Sequence, residues 1–303
     1  MKTIACGLGV LCSAYTALSC ANFSGTGTRL NGGSVHTSRR TGVAVLRHAL
    51  LRNPRPDGIH LETSLRGATN FNDRSDYSVA LMYAGRSAEA VERLEQLEKE
   101  KPGEYFIAAN LGTAYELSGK NAEALQWIRE GIRRNPDSHQ GTEWLHVRIL
   151  EAKIAQQHDP DYLKQHSVLE LSPQDIGQQL VFGEVKISTS QLAMAIEYQL
   201  GERLQFVKPP DPAVASLLFD YAALEAATRT LESARGVLQM ALEYGYPADK
   251  VQPLLKVYDR RILVRNISGY AAYALIATTF LALLYLLYKR KIFVLSSREL
   301  KPA

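Results

Sequence analysis

Gly85-Arg86-Ser87-Ala88-Glu89-Ala90 returns 34 residues later as Gly119-Lys120-Asn121-Ala122-Glu123-Ala124, and Pro102 returns as Pro136 in the same register. A recurrence at this period marks a helix–turn–helix unit that stacks on copies of itself. In the second copy Ala108, Leu111, Gly112 and Tyr115 mark one face of a first helix. Gly119 ends it, because a residue without a Cβ enters the left-handed conformation at no steric cost. Ala124, Ile128 and Gly131 form the facing stripe of a second helix, closed by Pro136. Gly112, Ala124 and Gly131 allow close approach, while Leu111, Tyr115, Leu125 and Ile128 fill the space on either side. In the first copy Tyr77, Ser78, Leu81, Gly85, Ala90, Leu94, Leu97 and Pro102 take the same offsets.

These small, large and breaker positions resemble the tetratricopeptide repeat family. The run SHQGTEWLHVRILEAKIA (138–155), with the helix before KPPDP (208–212), is also similar to uncharacterised bacterial membrane-anchored proteins that carry such repeats. The resemblance implies an all-α fold, an α-solenoid of tetratricopeptide-type helix pairs, and a binding role rather than a reaction. Ahead of the repeats, residues 43–51 have apolar positions at helical spacing and predict a short first helix, stopped by Asn53-Pro54-Arg55-Pro56. A third helix over residues 142–155 looks like the first half of another unit. Ala222, Ala234 and Ala241 repeat the offsets of Gly112, Ala124 and Gly131, with Pro247 near the closing position, which predicts a diverged pair further along. A lone pair cannot bury its own apolar face, so about three units are needed for a stable stack.

The ends of the chain concern location. Residues 1–21 read as a signal peptide: Lys2 gives the positive start, residues 4–18 are largely apolar, and Ser19-Cys20-Ala21 precedes a cleavage point. Lipidation of Cys20 is the competing reading, although Ala17 stands where that signal calls for Leu. Cys6, Cys12 and Cys20 all lie in this segment, so a mature chain cut after Ala21 has no disulfide, thiolate–metal site or cysteine nucleophile. Residues 267–288 carry no charge and reach roughly 33 Å as a helix, enough to cross a bilayer. Tyr270, Tyr273, Tyr285 and Tyr288 flank the span as interfacial aromatics do, and Lys289-Arg290-Lys291 holds the following tail in the cytoplasm. Arg260, Arg261 and Arg265 on the other side blunt that bias, and the signal decides the orientation.

The expected organisation is a signal peptide (1–21), a flexible leader (22–41), tetratricopeptide-type repeats (42–160), an irregular connection (161–190) and a C-terminal helical repeat region (191–263). A transmembrane helix (267–288) and a cytoplasmic basic tail (289–303) complete it. The tail's net charge equals the +4 of the whole chain, so what precedes it sums to zero. That leaves no basic surface for nucleic acid.

A search for chemistry gives little. Phosphate loops, nucleophile elbows and HExxH are absent from the sequence. His139, Glu143 and His146 fall on one helical face at spacings of four and three, compatible with a metal site, but neighbours can satisfy them without one. The expectation is no metal and no cofactor. Glu95, Glu98 and Glu100 alternate with Lys99 and Lys101 as a solvated face. Trp127 and Trp144 read as packing residues.

In the family the first helix of each pair lines a groove. The resemblance therefore puts Tyr83, Asn110, Thr113, Glu116 and Glu143 near a partner-binding surface. Repeats that hold a carboxylate use Lys and Asn where this chain has Ser75 and Val79, Asn where it has Asn110, and Lys and Arg where it has Gln140 and Trp144; Asn110 alone fits, and without the cations that ligand class is not expected. The reading is a membrane-anchored, exported, non-catalytic scaffold that binds a protein or peptide. It is single-pass in a bacterial cell membrane, with its repeats periplasmic or extracellular. An assembly subunit of a larger membrane complex is the alternative, with Ala274, Thr278 and Ala282 as a small-residue stripe on the span. A metal-dependent hydrolase around His139, Glu143 and His146 is the third reading.

Overall fold

The computed structural model describes residues 26–28, 34–36, 43–51, 63 and 65–290. The expected signal peptide with Cys20, and the expected cytoplasmic tail beyond Arg290, lie outside the described residues. The described chain is mostly helical, with one long apolar helix at its C-terminal end. In order come β1 (Thr26–Thr28), β2 (Ser34–His36), α1 (Val43–Leu51), α2 (Phe71–Tyr83), α3 (Ser87–Glu100), α4 (Tyr105–Leu117) and α5 (Asn121–Arg134). A 3₁₀ turn (Ser138–Gly141) leads into α6 (Glu143–His158), followed by the short α7 (Tyr162–Gln165). Then come β3 (Gln179–Phe182), β4 (Val185–Ser188), α8 (Thr189–Arg203), α9 (Pro212–Thr228), α10 (Leu231–Glu243) and α11 (Ala248–Lys289).

Helices α2 to α6 each pack on the next, and the two copies end their first helices in the same way. Gly85 has φ +76° and Gly119 φ +78°. Arg86 N–H donates to Leu81 O at 2.8 Å and Lys120 N–H to Tyr115 O at 2.9 Å, so each glycine lets the chain reverse while the last carbonyls stay bonded. Gly112 meets the close approach foreseen for it. A Cβ there would lie against Ile128 Cδ1 and 2.6 Å from its Cγ1, inside contact distance. The repeats are also clasped across their second helices. Arg134 of α5 donates to Glu98 of α3 at 2.7 and 2.9 Å and to Glu104 O at 2.8 Å, and both side chains are largely buried. Glu98 is thus an inter-repeat anchor and not part of a solvated face.

Two apolar cores result. One contains Leu81, Leu94, Ile107, Leu111, Ala124 and Ile128 of α2–α5, with Leu150 of α6. The other gathers Leu145 and Ile149 of α6 with Ile196, Leu217, Tyr221, Leu238, Tyr244 and Tyr258 from the C-terminal half. Helix α6 therefore belongs to both and joins them. The α9–α10 pair buries Ala222, Ala234 and Ala241 completely, as their matching offsets foresaw.

Several expectations need correction. The fold is mostly rather than wholly helical, because β1–β2 and β3–β4 are antiparallel hairpins. The leader over 22–41 contains the first of them, with β1 against α10 and α11. The irregular connection over 161–190 holds α7 and the second, whose two-residue turn starts at Gly183 with φ +62°. Helix α1 packs on α8 and α10 rather than on the repeats that follow it in sequence. Leu46 enters the C-terminal core, and a Cβ on Gly236 would lie 2.7 Å from Val43 Cγ2. The apolar span is the second half of a continuous 42-residue helix, whose first half packs on α10 through Val251, Leu255 and Tyr258.

Candidate functional site

Helices α2, α4, α6 and α8 surround a cavity of about 840 Å³, open mouth included, to which the turn before α6 also contributes. Tyr83, Asn110, Thr113, Glu116 and Glu143 all line it, so the five expected residues do share one concave surface. They do different things there. Tyr83 stacks on Phe206 with ring centroids 4.4 Å apart, and Val79, Met82, Leu117 and Val207 continue that apolar end. Asn110 reaches Ser75 Oγ at 3.4 Å, and Thr113 donates to Ala109 O at 3.2 Å inside its own helix.

Glu116 and Glu143 are buried in the floor. Glu116, 5% exposed, accepts from both terminal nitrogens of Arg203, Nη2 at 3.1 Å. It also accepts from Lys153 Nζ at 2.8 Å and contacts His146 Nε2 at 2.8 Å. Burial opposes its charge, yet Arg203, Lys153 and His146 outweigh that and hold it well below the usual carboxylate range. Glu143 lies between two imidazoles. His139 Nδ1 bonds its Oε1, and His146 Nδ1 is 3.6 Å from its Oε2. Burial pushes Glu143 up, but the histidines bring it down to about 2. In return the hydrogen bond that His139 donates to Glu143 raises the imidazole against the effect of burial. Burial likewise opposes charge on His146, and Glu116 and Glu143 still raise it.

The turn before α6 aims these groups. His139 has φ 47° and Gln140 φ 60°, a left-handed conformation that costs a non-glycine residue about 1–3 kcal/mol. Thr142 Oγ1 donates to His139 O at 2.7 Å and accepts from Gln199 Nε2 of α8 at 2.9 Å, which holds the turn in place. His139 then sits between the rings of Tyr105 and Tyr198, centroids 6.4 and 6.1 Å away.

His139, Glu143 and His146 do come together as their spacing foresaw. They form a chain of alternating imidazoles and carboxylates running to Glu116, with Glu143 as the acceptor between the rings. Among the described residues no group of His, Cys, Asp and Glu is disposed to hold a metal ion. Sequence reading missed the contribution of α8 and the turn after it: Gln199, Arg203 and Phe206. One signal was available. Arg203 follows Ile196 and Leu200 at spacings of seven and three, a cation on an apolar stripe. Trp144 stacks on Phe182 of β3 at 5.0 Å and lies half-buried, as does Trp127 under Arg134.

No protein-family model matches the chain, and no curated protein matches it in sequence.

Proposed function

We propose that this chain is a membrane-anchored tetratricopeptide-type scaffold that captures a protein or peptide partner in the α2–α4–α6–α8 cavity and catalyses nothing itself. The observation that carries this reading is the convergence of Tyr83, Asn110, Thr113, Glu116 and Glu143 on one concave surface. A stacked aromatic pair at one end and polar groups at the other suit an amphipathic chain segment. The anchor is α11, the one described helix long and apolar enough to cross a membrane, with its apolar window wholly exposed. Confinement at the bilayer raises the effective concentration of the groove toward other membrane-bound proteins. The exported orientation follows from the signal peptide and the basic tail.

The test is site-specific photocrosslinking in intact membranes from Asn110 and, as control, from the exposed Arg129. A discrete adduct from Asn110 alone supports the groove; the same adduct from Arg129, or none from either, removes it. Cysteines placed at Glu202 and Lys301 report orientation: reagent that cannot cross the membrane should label the first and spare the second.

One observation favours an assembly role in a larger complex. The span carries Ala274, Thr278 and Ala282 on one face, and it continues without a break from the folded body. Replacing residues 267–288 by an unrelated span separates the readings, because a scaffold keeps its partner and an assembly subunit loses its complex.

A further inference from the structure

Charge is sorted along the chain. Over residues 65–247 twenty-six Asp and Glu outnumber eighteen Lys and Arg, whereas over residues 248–266 five Lys and Arg meet two Asp. The reversal falls on α11, just ahead of its apolar span. One line of that helix, Val251, Leu255 and Tyr258, is buried, and Ile262 and Arg265 continue it half-buried. The opposite line is exposed: Lys256, Arg260, Leu263 and Ile267 follow one another at spacings of four, three and four. Val257, Arg261 and Val264 form a second exposed line beside it. The neighbouring carboxylates are already engaged, Asp259 by Arg235 and Glu232 by Arg265 at 2.6 Å. Among the described residues no ion pair engages Lys256 or Arg260. Apolar exposure also begins ahead of the charge-free span. Leu263 is 58% and Val264 55% exposed, as much as Ile267 at 57% within it.

We propose that this collar of α11 seats the body on anionic lipid: Lys256 and Arg260 hold headgroup phosphates, Arg261 adds its charge at the flank, and Leu263 and Val264 enter the acyl boundary beneath them. This rests on the reading of α11 as a membrane anchor, and it holds for either orientation of the span. Depth decides which groups meet. The headgroup layer is roughly 5–7 Å deep on each side of the hydrocarbon. With Leu263 at the hydrocarbon edge, Arg260 and Arg261 stand about 3–5 Å above it at 1.5 Å per residue. Lys256 stands about 10 Å above, and its flexible stem reaches back down to the phosphate level. The exposed lines run from cation to aliphatic toward Ile267, so the occupant must offer an anion above and hydrocarbon below. An anionic lipid supplies both in one molecule and is continuous with the lipid around the span. A guanidinium also matches phosphate oxygens in pairs. The acidic body is itself repelled by such a surface, so the collar selects which part of it comes down on the bilayer.

The full-length chain, carrying a fluorescent amino acid in place of Leu263, is reconstituted in vesicles of phosphatidylcholine and phosphatidylglycerol. Either lipid in turn bears a quenching nitroxide high on its acyl chain. A control chain carries the fluorophore at Leu275 in mid-span and meets a nitroxide near the chain end. At low ionic strength the anionic lipid should quench the Leu263 position at least about fivefold more strongly per mole, the effect of one basic residue near the surface. The preference should fall toward unity in 1 M salt, where charges are screened beyond about 3 Å. Lys256→Gln with Arg260→Gln should remove most of it, Lys256→Glu with Arg260→Glu should turn it against the anionic lipid, and Lys256→Arg should keep it. Equal quenching by the two lipids, or a preference unchanged in the double glutamine variant, overturns the headgroup seat. So does an unquenched Leu263 position beside a quenched Leu275 position, and shielding that fades as protein is diluted in the bilayer then gives the face to a second copy. An unquenched Leu275 position overturns the anchor itself.

Discussion

Glu116 shows what one buried charge does in this molecule. It ties α4 to α6 and α8 through Arg203, Lys153 and His146, so removing its charge leaves those cations without compensation. Glu116→Gln should cost about 3–5 kcal/mol, the usual penalty for breaking a buried ion pair from one side, read as a lower midpoint in denaturant. The network also fixes a pH optimum. Glu116 and Glu143 have lowered values, so their contribution is present above the ordinary carboxylate value of 4.5 and lost as pH falls through the folded values, about 2 for Glu143. His139 and His146 have raised values, so theirs is present below 6.5 and lost as pH climbs through the folded values. The melting temperature should be highest between those limits and fall on both sides; no fall on either side would show that the network is not coupled to folding. Asp220 behaves in the opposite sense to Glu116 and Glu143. Burial lifts it to about 7, and Oδ2 has no hydrogen-bond partner among the described residues. The folded state resists its ionisation, so Asp220→Asn should raise the melting temperature above pH 7 and change little near pH 4. At this scale the sequence was informative about His139, Glu143 and His146, whose spacing puts them on one face. Of Arg203 it showed only a cation on an apolar stripe, and nothing in it pairs that cation with Glu116, 87 residues earlier.

Among elements, the repeat helices were the most legible because glycine and proline punctuate them at a fixed period. Close approach at Gly112 and reversal at Gly85 and Gly119 follow from steric rules that hold in any context. Gly112→Leu should force Ile128 aside and cost on the order of 1–3 kcal/mol by overpacking, and thermal denaturation would measure it. The β3–β4 hairpin was less legible. Its strands are four residues each, too short for alternation to stand out, although Gly183 within an apolar run was a turn signal. Helix α1 was located correctly from its spacing, yet nothing in nine residues says that they pack on α8 and α10. Such long-range pairing depends on which apolar faces remain open once the local pairs have formed. Glu98 misled for the same reason: its alternation with lysines looks solvated until Arg134 of the next unit reaches it.

For the whole molecule, the decisive element is α11, which is packed on α10 as far as Tyr258 and then continues as the exposed apolar span. Arg265 Nη2 bonds Glu232 at 2.6 Å, beyond the last buried aromatic, and extends the attachment toward the apolar end. With that end in a bilayer, no jointed linker separates the folded body from the lipid. Inserting one alanine after Asn266 should turn the body by roughly 100° about the helix axis, whereas four should restore its phase to within about 40°. Crosslinking to a membrane-embedded partner should fail with the first insertion and recover with the second; indifference to both would mean that the body swivels freely. The compass bearing of the cavity over the membrane is therefore written in a residue count, as the direction of a weathervane soldered to its mast is set when the joint is made.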